Sequence, residues 1–225
     1  MCNFLSTIFP QFCVGCGFVG EYLCERCFTK IFVIKSNICI YCKRKAALGL
    51  THAQCKKKLG IDGCVSFYKY DSLFKKIMIQ AKYQRAHRLL PSVLNHANKS
   101  FYMTLWKWRS IFKPIVAPIP LNRQRELERG FNQSEIIATY IARKIGFPQR
   151  ELLIRTKNTN HLANIQDHNK RRAIINNAFE FCGDLIPKTV LLVDDVITTG
   201  ATIGECAKTL KENGVKIVLA FSLAK

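Results

Sequence analysis

Residues 190–202 read VLLVDDVITTGAT, and this stretch decides the fold. Val190 to Val193 are four apolar residues in a row. Continuous rather than alternating hydrophobicity marks a strand covered on both faces, as in a parallel sheet. Asp194 and Asp195 follow, then Thr198, Thr199, Gly200, Ala201 and Thr202. Ile203 to Leu210 carries a helical pattern. Strand, loop and helix is the unit of an open α/β sheet, where ligands bind outside the carboxyl ends of the strands. The acids and the Thr-Gly turn stand at that place.

The residue types specify a chemistry. Gly200 allows a tight turn and a close approach of backbone to ligand. The hydroxyls of Thr198, Thr199 and Thr202 can donate to anionic oxygens, and helix-start N–H groups favour an anion there. Carboxylates cannot face a phosphate. Asp194 and Asp195 suit sugar hydroxyls or a hydrated divalent metal. The loop therefore reads as a site for a ribose carrying a 5′-phosphate. No Lys follows a G-x-x-x-x-G run, so it is not a P-loop. The stretch resembles the 5-phosphoribosyl-1-pyrophosphate (PRPP) signature of type I phosphoribosyltransferases.

Working towards the N-terminus, Ile115 to Pro120 (IVAPIP) reads as a second buried strand. Arg123, Arg125 and Arg129 follow it at the same sheet edge, where they suit pyrophosphate or another anion. Gly130 to Ser134 then leads into a helix ending near Ile145. Residues 101–112 place Trp106 and Trp108 among Lys107 and Arg109. Two readings stand: a helix docked on the sheet by its aromatics, or an aromatic and basic surface that stacks bases. Val65 to Tyr70 reads as a short strand. Asp71 or Ser72 caps a helix from Leu73 to about Tyr83, with Phe74, Ile77, Met78 and Ala81 as its core face and Lys82 among the surface charges. Lys216 to Ser222 reads as the closing strand.

Nine of the 11 cysteines precede residue 65. Cys13-x-x-Cys16 and Cys24-x-x-Cys27 form one double pair. Cys39-x-x-Cys42 and His52-x-x-Cys55 form another. Pairs two residues apart grip a tetrahedral Zn²⁺ through a tight turn, and a second pair closes the site. Sequential pairing gives one site of Cys13, Cys16, Cys24 and Cys27, and a second of Cys39, Cys42, His52 and Cys55. For the second, Cys64 is an alternative to His52. Both sets are full, so the zinc is structural and replaces a core too small for this segment.

The chain of 225 residues is 48% hydrophobic, enough for a sizeable core. It has no run of 18 apolar residues, so no membrane span is expected. Its start lacks a signal-peptide pattern, and its cysteines lack an oxidising context, so a cytoplasmic location is expected. Net charge is +20, and residues 1–114 hold 19 of the 35 Lys and Arg but only 4 of the 15 Asp and Glu. Such asymmetry suits a polyanionic partner such as nucleic acid, or a solvated basic surface.

RGFNQS, set between the cysteine knuckles and VDDVITTG, makes the whole chain resemble the ComF family of ComFC- and GntX-like proteins. That resemblance implies an α/β fold with a doubly wound parallel sheet of the type I phosphoribosyltransferase kind. A small double zinc-ribbon module precedes it, with residues 1–64 as the module and 65–225 as the phosphoribosyltransferase-like part. It implies PRPP bound with Mg²⁺. Asp194 and Asp195 would lie on the ribose hydroxyls, residues 198–202 on the 5′-phosphate, and Arg129 or a neighbour on the pyrophosphate. Arg172, Asn176, Ala178 and Phe179 fit a further family pattern, but His161 or Leu162 stands where relatives carry Gln. The acceptor is not identified, and no catalytic residue is assigned. Family ties to natural transformation add single-stranded DNA and the DNA-uptake machinery as partners. A transferase, a single-strand handling protein and a PRPP sensor without turnover are all compatible with these motifs.

Overall fold

The apolar run around Val190 lies in the middle of a parallel sheet. The computed structural model describes residues 11–82, 86–97, 99–157 and 174–225. His161, Leu162 and Arg172 lie outside them, as does the expected helix end at Tyr83. In chain order the described elements begin with α1 (Glu25–Phe28) inside the first knuckle, then β1 (Gly63–Tyr68), α2 (Ser72–Gln80), α3 (Ala86–Asn95) and α4 (Lys99–Phe112). β2 (Ile115–Pro118), α5 (Arg123–Arg129), α6 (Gln133–Ile145), β3 (Leu153–Arg155) and β4 (Phe179–Phe181) follow. The chain closes with β5 (Thr189–Val196), α7 (Ala201–Glu212) and β6 (Ile217–Ala224). The main sheet runs β1-β6-β5-β2, and every pairing is parallel. β3 and β4 form a separate antiparallel pair.

Side chains alternate across β5 and so divide the core. Leu191 and Val193 face a layer with Phe74 and Ile77 of α2, Leu90 of α3, Trp108 of α4 and Ile137 and Ile141 of α6. Val190 and Leu192 face the other layer, with Ile203, Cys206, Ala207 and Leu210 of α7. Helices on both faces make the sheet doubly wound, which is why its strands read as unbroken apolar runs. β5 extends past the expected end at Val193 to Val196, because β6 runs beside it and Val196 pairs with Ala224. The two acids are thus ladder residues, held by main-chain hydrogen bonds, and not the start of a loop.

Asp71 caps α2 by accepting the Phe74 N–H at 2.8 Å. Trp108 is fully buried, whereas Trp106, two positions away and so on the opposite face of α4, is 42% exposed. The docked-helix reading holds for Trp108, and the two indoles do not share one surface. The knuckles lie along the free edge of β1. Ile34 N–H donates to Phe67 O at 2.9 Å, Lys69 N–H donates to Phe32 O at 2.8 Å, and Leu50 bridges Gly63. Among the described residues no helix is long and apolar enough to cross a membrane.

Candidate functional site

At the carboxyl end of the sheet, Asp194 accepts the Ser134 hydroxyl at 3.1 Å and the Asp195 N–H at 2.9 Å. Asp195 accepts the Val196 N–H at 2.6 Å. Burial, and then the neighbouring Asp195 carboxylate, pushes the Asp194 carboxyl up to about 8, although the Asp195 N–H and Ser134 oppose the rise. Burial raises Asp195 as well, opposed by the Val196 N–H and by the charges of Lys82 and Arg129. Two adjacent carboxylates in a desolvated strand end are only partly neutralised by the protein. The site is therefore built to receive hydrogen-bond donors or a cation.

Beyond the acids the chain turns through Gly200, whose φ of +76° is left-handed, with open space where a Cβ would stand. Thr199 Oγ1 accepts the Ala201 N–H at 3.2 Å and sets the turn into α7. Asp194, Thr198, Thr199, Gly200, Ala201 and Thr202 line a cavity of about 50 Å³, several times the space one water needs. Asp194 thus faces the same small space as the loop's amides and hydroxyls.

The segment 129–134 acts as a brace. Asn132 caps α6 by accepting the Ser134 N–H at 3.0 Å, and its Nδ2 donates to Ile119 O at 3.0 Å. Arg129 donates to Gln133 Oε1 at 3.1 Å, and Gln133 Nε2 reaches Ala81 O at 3.4 Å. The start of α6 is thereby tied to the end of α2. That tie brings Lys82 and Arg129 to Asp195. Burial lowers Lys82, as does the Arg129 charge, while Asp195 raises it. In sequence Lys82 is one of a group of cations that could bind phosphate or face solvent. Its position alone could not show that Gln133 would hold the backbone next to it. Ser134 was likewise missed, since its contact with Asp194 spans 60 residues. Arg123, placed with Arg129 by its position after a strand, is exposed on α5.

The ligand atoms of Cys13, Cys16, Cys24 and Cys27 lie within 4.8 Å of one another, as do those of Cys39, Cys42, His52 and Cys55. Each set is close enough to share a metal ion such as zinc. The donor chemistry fits that ion. His52 Nε2 donates to the Lys45 carbonyl at 2.9 Å, which turns Nδ1 towards Cys42 Sγ at 3.2 Å. An imidazole fixed through its second nitrogen is the usual arrangement of a ligating histidine. Burial raises the Cys13 thiol, but the N–H groups of Cys24, Cys16 and Gly15 outweigh it and hold the thiol at about 6. The Arg44 N–H and side chain hold Cys42 at about 6. Cys64, the alternative fourth ligand, is buried in β1 against the second core layer and belongs to neither set.

No family model matches the chain. It is 27% identical over 208 residues to competence protein ComFC of Bacillus subtilis, covering 86% of this chain and 80% of the relative. It is 22% identical over 224 residues to competence protein F of Haemophilus influenzae, covering 91% and 97%. Over 113 residues it is 31% identical to the DNA utilization protein YhgH of Escherichia coli O157:H7, covering 49% and 48%.

Proposed function

From the premise of a ComF-family chain, we propose that the protein binds PRPP at the paired-acid loop and serves a competence-related handling of DNA. The observation that carries the ligand is the pair Asp194 and Asp195, raised by burial and only partly compensated, with Asp194 lining a cavity with an open glycine turn. Ribose hydroxyls would donate to these carboxylates. The amides and hydroxyls of Thr198 to Thr202 would hold the 5′-phosphate. Lys82 and Arg129 would face the pyrophosphate. Mg²⁺ arriving with PRPP would supply further neutralisation of the pyrophosphate charge. With an acceptor present, the bond from C1 to pyrophosphate would break as the acceptor bond forms, and the cations would stabilise the leaving charge.

Calorimetric titration tests the reading. PRPP with Mg²⁺ is expected to bind at least tenfold more tightly than ribose 5-phosphate, because only PRPP engages Lys82 and Arg129. Absence of PRPP binding rejects the assignment. Single-turnover release of pyrophosphate separates a transferase from a sensor.

The DNA side of the reading is supported by the names of the relatives and by the basic first half of the chain. Trp106, exposed beside Arg109 with the guanidinium 5.6 Å from the ring centroid, offers one stacking surface. Affinity for a single-stranded oligonucleotide is expected to fall at least tenfold between about 50 and 200 mM salt. Salt-insensitive or undetectable binding in a gel-shift titration rejects it.

A further inference from the structure

A cleft of about 730 Å³ opens between the second knuckle and α7, with the phosphate loop as its shared wall. Its size falls in the range of small-molecule sites. Tyr41 and Leu59, both partly exposed, line it together with the buried Ile40, Ile61, Ile175 and Ile197 and give it an apolar floor. Its rim carries three cations, Lys43, Lys57 and Lys208, against one carboxylate, Glu205. These cations are held in place. Lys57 Nζ stands 4.9 Å from the Tyr41 ring centroid. Lys208 is fixed by Glu205 at 3.4 Å, Asn176 Oδ1 at 3.3 Å and Asn177 Oδ1 at 3.2 Å. Lys43 donates to Ile40 O at 2.6 Å.

Gly204 is the second observation. It lies inside α7, where glycine is less favourable than alanine. A Cβ at Gly204 would meet nothing within 4 Å, so no packing within the described chain calls for glycine. The residue lines the cleft and keeps its helical wall thin. An inorganic anion would engage the lysines and leave the apolar floor uncovered. An aliphatic chain would cover the floor and leave the lysines unused. A planar ring carrying a phosphate answers both.

We propose that this cleft binds a nucleotide, with its phosphate between Lys57 and Lys208 and its base on the apolar floor at Tyr41 and Leu59. The cleft leaves out the acids but shares Thr198 to Ala201 with the loop, so the two sites adjoin along one wall. The nucleotide is either free or the end residue of a single strand, and the two share this chemistry.

The test titrates the metal-loaded full chain with thymidine monophosphate and with pentathymidylate. Wild type is expected to bind at least one of them, and the tighter of the two identifies the source. Gly204→Leu fills the cleft and should melt no lower than wild type, since leucine favours a helix. It should weaken binding at least tenfold. Lys57→Ala, on the opposite wall, should weaken it at least fivefold. PRPP affinity measured in Gly204→Leu reports on the loop separately, so failure of one site is distinguishable from failure of the other. The proposal is overturned if neither probe binds wild type, or if both variants bind as wild type does.

Discussion

Asp194→Asn is expected to raise the melting temperature while weakening PRPP binding. In the folded chain the Asp194 carboxyl titrates at about 8, far above its ordinary 3.8. The folded state therefore binds this proton more tightly than the unfolded state does. Stability from the group is complete below about pH 4 and is lost as pH rises towards 8. At neutral pH the wild type carries this cost, and a neutral amide does not. Asparagine keeps an oxygen that can accept from Ser134 and from the Asp195 N–H. Each pKa unit corresponds to about 1.4 kcal/mol, but Asp194 is only partly buried and lines the loop cavity, so about 1–3 kcal/mol is a fair expectation. For a chain of this size that is a rise of about 3–10 °C. The same amide cannot hold a sugar hydroxyl or a cation as a carboxylate does, so affinity should fall at least a hundredfold in Asp194→Asn with Asp195→Asn. Thermal melts from pH 5 to 8 should show the wild-type midpoint falling relative to Asp194→Asn. A variant that melts lower than wild type throughout that range would contradict the strain assigned to the pair. Opposite signs for stability and binding are what a site built against its own folding energy must show.

The features legible in the sequence share a physical origin. β5 and α7 were readable because burial on both faces gives an unbroken apolar run, and because a left-handed turn at Gly200 needs glycine. The two cysteine-rich sets were readable because their ligand atoms are paired at a spacing of a few residues. What stayed hidden depends on contacts between distant segments. α3 contains Pro91, which reads as a helix break. β3 and β4 are three residues each, too short for any periodicity. Trp106 and Trp108 look alike in sequence, and only the orientation of α4 sends one to solvent and the other to the core. Lys82 becomes part of the site only because Gln133 reaches the backbone at Ala81. The cleft beside Gly204 joins the second knuckle to α7 across about 150 residues of chain, so no local pattern could report it.

Metal removal should have the other large effect, and should act on the whole chain. Cys13, Leu23, Cys27 and Ile31 belong to the same core layer as Phe67, Tyr68 and Phe74. The second set is joined to the opposite layer through Ile40 and Ile61, and Thr51 N–H donates to Asp62 O at 2.8 Å. Released knuckles would expose both layers along β1, while the ordering of about 50 residues would lose its main compensation. A structural zinc site contributes on the order of 10 kcal/mol, comparable to the stability of an entire domain. Stripping with a chelator is therefore expected to lower the melting temperature by more than about 10 °C. Protons compete for thiolates, so loss should be easier at pH 6 than at pH 8. Cys13→Ser and Cys39→Ser should each reduce zinc content by about one ion per chain in elemental analysis. Cys182→Ser, at an exposed cysteine outside both sets, should leave content and melting unchanged. Cys39→Ser should also impair nucleotide binding in the cleft, because Ile40 and Tyr41 follow that ligand directly in the chain. Cys13→Ser should spare the cleft's near wall. If chelation left the melting curve untouched, the knuckles would have to be held by their apolar contacts alone, and zinc would have no structural role here.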